Sequence, residues 1–71
     1  MNQLEEATLN CIAQDPTTTL SDLISLVASE ENVSERVVRS ALDDLERKSL
    51  IIIDEDIDMV MISLKGSAHI K

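Results

Sequence analysis

Residues 33–64 read VSERVVRSALDDLERKSLIIIDEDIDMVMISL, an amphipathic helix that runs straight into two β-type segments. Ser34 suits a helix N-cap, and Val33 before it pairs with Val38 at the fourth helical position as a hydrophobic staple. Glu35 in the first turn and Arg47 and Lys48 in the last match the helix macrodipole. Val38, Ala41, Leu42 and Leu45 repeat at helical spacing as the expected buried face. That choice turns Glu35, Arg36, Val37, Arg39, Ser40 and Asp43 toward solvent. Beyond the helix, Leu50-Ile51-Ile52-Ile53 and Met59-Val60-Met61-Ile62 flank the acidic turn Asp54-Glu55-Asp56-Ile57-Asp58, the arrangement expected of a β-hairpin.

Both hairpin segments are apolar at nearly every position, yet two strands have only one face to lay on the helices. Alternation therefore sends Ile52, Met59 and Met61 the other way, unless the N-terminal helix or the chain end covers them. Unbranched Met adapts to varied partner surfaces, and an uncovered aliphatic strip is an interaction signal.

Upstream, Asn2 to Asp15 reads as a helix with Leu9 and Ile12 facing the core and Pro16 as its stop signal. Leu4, Ala7, Thr8 and Cys11 lie on a neighbouring stripe, read either as the edge of the core or as a homodimer contact. Thr17-Thr18-Thr19 is β-branched and brief, enough for one short strand added to the hairpin before Thr19 or Ser21 caps the next helix. That helix runs from Leu20 to about Ser29 on the repeat Leu20, Leu23, Ile24, Val27, and Glu30-Glu31-Asn32 forms the turn.

The 71 residues predict one small domain over 1–71, of a size that buries only about 60% of its unfolded surface. Apolar residues make up 44% with no Phe, Tyr or Trp, so the core is aliphatic. No apolar run reaches about 18 residues, and Met1 to Glu6 carries two acids and no base, so neither a membrane span nor a secretory leader is expected. With Cys11 as the single cysteine, a cytoplasmic protein is expected, the nucleus being the other reading. The net charge of −8 divides into −6 before Ser34 and −2 from there on, because all six Lys and Arg residues lie in the second part. A field of that sign repels nucleic acid and membrane and favours basic partners, although it also simply keeps a small protein soluble.

The order helix, short strand, helix, turn, helix, hairpin covers nearly the whole chain. With the phrase Val38, Ala41-Leu42, Leu45-Glu46, Leu50-Ile51 and then Val60-Met61-Ile62-Ser63-Leu64-Lys65-Gly66, it resembles winged helix-turn-helix regulators of the MarR and ArsR type. The resemblance implies an α+β fold of three helices with a two-stranded wing, residues 34–48 being the recognition helix. It is weak on function, because winged helices also dock proteins. Ser49 departs from the pattern where a Gly usually precedes the wing, and the wing tip carries acids in place of Arg. The extra flanking helices of MarR-type dimers have no counterpart in the pattern.

Docking on DNA as that family does would place base reading on Arg36, Val37, Arg39, Ser40 and Asp43, with Lys65 and Arg47 or Lys48 near phosphates. That allows about two to four phosphate contacts, against roughly six to ten for strong sites. Helical spacing also sets Glu35 and Asp43 around Arg39, Asp43 before Arg47 and Asp44 before Lys48, pairs worth about 0.2–0.5 kcal/mol each that dilute the positive field. Without aromatic residues for base stacking, only a duplex remains as a nucleic-acid target.

In size, helix order and acidic wing the chain also resembles the protein-docking C-terminal winged helix of the replication protein A middle subunit. By that likeness Asp54, Glu55, Asp56 and Asp58 would steer a basic segment of a partner protein onto Ile52, Met59 and Met61. The expected function is a non-enzymatic regulatory or adaptor module acting in transcription or another DNA transaction, and the alternative is a duplex-reading regulator. No cofactor is expected. Cys11 and His69 alone complete no metal site, the acidic turn lacks the Gly and terminal Glu of a calcium loop, and no pocket is foreseen to tune carboxylates for acid–base work.

Overall fold

The computed structural model describes residues 2–69. Helix α1 (Gln3–Gln14) opens with a capping box: Asn2 accepts the Glu5 N–H at 2.8 Å and the Glu5 carboxylate reaches back to the Asn2 N–H. Helix α2 (Leu20–Glu31) is capped by Thr19, whose hydroxyl accepts the Asp22 N–H at 3.2 Å. It runs two residues beyond the expected end, because Glu30 and Glu31 are good helix formers and termination waits for Asn32, which takes the left-handed conformation at φ 54°. The Val33 N–H then closes onto the Ala28 carbonyl at 3.1 Å. Helix α3 (Glu35–Arg47) is capped by Ser34 as the sequence implies.

At the end of α3 the chain reverses through Ser49, left-handed at φ 64°, while the Leu50 N–H donates to the Leu45 carbonyl at 3.0 Å. A left-handed backbone favours glycine, which has no Cβ to strain. Ser49→Gly is expected to raise stability by about 0.5–1 kcal/mol, read as an upward shift of the urea midpoint at constant m-value.

Strands β1 (Ile51–Asp54) and β2 (Met59–Ile62) pair antiparallel in the register Ile51↔Ile62, Ile52↔Met61, Ile53↔Val60, Asp54↔Met59. One face carries Ile51, Ile53, Val60 and Ile62 toward the helices; the other carries Ile52, Asp54, Met59 and Met61. The expected third strand reduces to a single bridge, Thr19↔Met59. Thr17 is taken up elsewhere, donating its N–H and hydroxyl to the Asp15 carboxylate, and with Thr18 it holds that carboxyl below its ordinary pKa.

A short helix α4 (Leu64–Ala68), unforeseen from the sequence, follows β2 under a Ser63 cap. The whole is an α+β fold, three helices followed by an antiparallel hairpin, a layout compatible with a winged helix.

The core joins Leu9 and Ile12 of α1, Leu20, Leu23 and Val27 of α2, and Val38, Leu42 and Leu45 of α3 to Leu50, Ile51 and Val60. Thr8 belongs inside and not to a dimer contact: it is fully buried, and its hydroxyl donates to the Leu4 carbonyl at 2.8 Å. Leu4 and Cys11 pack against the rim of the core. The wide apolar face of α1 is used within the chain, since α1 packs on both α2 and α3.

Candidate functional site

The wing is stitched to the start of α2 by one of its own acids. Asp58 holds a left-handed backbone at φ 52°, its carbonyl accepts the Leu20 N–H at 2.9 Å, and its carboxylate accepts the Ser21 N–H at 3.2 Å and the Ser21 hydroxyl at 3.0 Å. Together with Thr19 it satisfies the donors of the first turn of α2, and its negative charge sits at the positive end of that helix. Asp58, expected as a steering acid, thereby also anchors the hairpin to the start of α2. Asp58→Ala is expected to cost about 1–2 kcal/mol in chemical unfolding, from two lost hydrogen bonds and a left-handed alanine. Asp56→Ala, whose carboxylate is exposed at the tip, should stay within about 0.5 kcal/mol of wild type.

Met59 lies on the outer face with Ile52 and Met61 but is half-buried beside Thr19, so it is the least available of the three. Ile52 and Met61, cross-strand partners, keep 52% and 45% of their surface exposed. They line an open groove of about 380 Å³ between α3 and the hairpin, to which Ile53 also contributes. Its acids are Glu46, Asp54, Glu55 and Asp56, and its one cation among the described residues is Arg39. Two of the acids are set by local bonds: Glu46 accepts the Ile53 N–H at 3.2 Å, and Asp54 accepts the Asp56 N–H at 3.1 Å in a turn. An apolar lining beside carboxylates suits a ligand with an aliphatic stem and a cationic head.

The bases expected to face DNA are mostly committed. The Arg39 guanidinium pairs with Asp43 at 3.3 Å and also with Glu55 of the hairpin, so the helix and the wing tip share it. Lys65, expected near phosphate, instead donates to the Lys48 carbonyl at 3.0 Å, capping the C-terminus of α3. Arg47 pairs with Asp44 at 3.3 Å, and Lys48 with Glu5 of α1 at 2.9 Å. Of the pairs foreseen along α3, only Arg39–Asp43 forms: Lys48 pairs with Glu5 of α1, Arg39 takes Glu55 as its second partner, and Arg47 pairs with Asp44 in place of Asp43. Among the described residues, Arg36 is the one Lys or Arg with neither an ion pair nor a side-chain hydrogen bond, beside exposed Val37 and Ser40.

Burial, together with Glu30 beside it, pushes the Cys11 thiol above its usual pKa, which makes it a poor nucleophile. Among the described residues no group of three or more His, Cys, Asp or Glu side chains could hold a metal ion, and no helix is long and apolar enough to cross a membrane. The groove as a unit was not visible in the sequence, since Arg39 and Glu46 enter it from the helix. No family model, curated protein or solved structure matches the chain.

Proposed function

We propose that the protein is a non-enzymatic regulatory or adaptor module that binds a basic segment of a partner protein in the groove between α3 and the wing. The observation that carries this reading is one open groove lined by the exposed Ile52 and Met61 together with Glu46, Asp54, Glu55 and Asp56. Charge would speed the encounter, and the aliphatic lining would supply most of the affinity. The bases of α3 are too heavily paired within the chain to give a strong phosphate-binding surface, which supports this reading over a duplex reader built like a MarR-type regulator. The exposed row Arg36, Val37 and Ser40 keeps that second reading open to a gel shift at low salt, where no retardation by the wild type removes it.

The test uses a labelled peptide alternating Arg and Leu, a Gln-for-Arg control, and fluorescence anisotropy. Wild type should bind the Arg peptide, and Asp54→Asn/Glu55→Gln/Asp56→Asn should weaken it at least about tenfold. Ile52→Ala/Met61→Ala should weaken it as well, which diffuse attraction between charges would not do. Equal binding by the acid variant and wild type, or no binding by wild type, overturns the reading.

A further inference from the structure

Among the described residues, Arg39 is the only cation that lines the groove. Arg39 comes from the middle of α3, lies along the groove wall, and offers its guanidinium to Glu55 on the hairpin while its Nε meets Asp43 at 3.3 Å. The other described bases lie outside the groove, three of them bound elsewhere and Arg36 pointing to solvent. We propose that Arg39 acts as an internal stand-in for the partner's arginine: it fills the guanidinium position beside Glu55 in the free protein, and a docking segment replaces it there. This inference rests on the groove being the docking site for a basic segment.

The geometry makes the exchange feasible. Glu55 is two-thirds exposed and Arg39 one-third, so the pair is open to water at one side. Arg39 also retains Asp43 as a second partner on its own helix, so releasing Glu55 does not strand the guanidinium. An incoming arginine would offer Glu55 the same planar fork, with Asp54 and Asp56 adjacent and the stem lying on Ile52 and Met61. The contact is thus a built-in competitor that raises the threshold for weakly basic ligands.

The same Arg–Leu peptide tests this, titrated into wild type, Arg39→Gln and Arg36→Gln at 0.15 M salt. Both variants add the same net charge, but only the first vacates the groove. Arg39→Gln should tighten binding about 2–5-fold, the worth of an exposed pair, and Arg36→Gln by less than about 1.5-fold because its charge is screened. A Lys–Leu peptide should gain by the same factor, because the cost of displacing Arg39 does not depend on which cation replaces it. If wild type binds and loses binding in the acid variant, yet Arg39→Gln weakens binding or matches Arg36→Gln, the stand-in role is overturned and the docking site survives. If wild type does not bind, both are lost.

Discussion

Gly66→Ala is expected to lower stability by about 1–3 kcal/mol, a fall in melting temperature of roughly 4–8 °C for each kcal/mol, although helix propensity alone points the other way. Gly66 lies within α4, where exchanging glycine for alanine ordinarily gains about 0.5–1 kcal/mol. The surroundings reverse the sign. A Cβ at Gly66 would stand 2.0 Å from the Leu50 carbonyl oxygen and 2.9 Å from Cγ1 of Ile62. The first of these is backbone and cannot swing aside like the end of a side chain. That carbonyl also accepts the Ser63 N–H at 3.0 Å, which closes the hairpin next to the buried Leu50. Relief would come either by shifting Leu50 or by lifting α4 away, and lifting α4 forfeits the Lys65 bond to the end of α3. Thermal and urea unfolding check the direction, and amide shifts at Leu50, Ile62 and Ser63 show which relief is taken. A variant as stable as wild type, or more so, would refute the close approach.

The parts of the fold that were legible share one property, which is that a local pattern decided them. Ser34 with Val33 and Val38 fixed the start of α3, and its face Val38, Ala41, Leu42, Leu45 is buried as the 3.6 period requires. The acidic turn between two runs of four placed both strands, and alternation selected Ile52 and Met61 as outward residues. The misses that shaped the site are mostly tertiary. Nothing near Asp58 in sequence announces that its carboxylate will cap a helix 37 residues earlier, so four clustered acids looked alike. Spacing left Thr8 either at the core edge or at a dimer contact, because it does not reveal the bond back to the Leu4 carbonyl that lets a hydroxyl be buried without penalty. Lys65 and Arg39 carry charge that the sequence counts as available, whereas the fold spends it on a helix end and on the wing. The groove depended on those pairings, and so it emerged only with the chain folded.

Lys48→Met should be among the most destabilising surface changes in the molecule, at about 1–3 kcal/mol, although it removes a side chain that is half in water. The reason is its partner. Glu5 is 2% exposed, and its carboxylate has the Lys48 ammonium at 2.9 Å and the Asn2 N–H at 3.4 Å. Methionine keeps the aliphatic stem but leaves a buried carboxylate with one long hydrogen bond. The pair also sits well on the helix dipoles, the acid in the first turn of α1 and the base at the C-cap of α3, so it ties two favourable helix ends together. A fully enclosed pair broken on one side costs about 3–5 kcal/mol; the lower figure allows for water reaching the Lys48 side. Glu5→Gln should cost less, about 0.5–1 kcal/mol, because the amide keeps the capping role and Lys48 turns to solvent. The double variant should then be less destabilised than the sum of the two, since the methionine no longer strands a charge. Repeating the cycle in 0.5 M salt separates this contact from the exposed Arg47–Asp44 pair, which screening should erase while the Glu5 coupling persists. Additive costs, or a Lys48→Met variant within 0.5 kcal/mol of wild type by the threshold for ordinary surface changes, would mean that water and the capping box alone sustain the Glu5 charge.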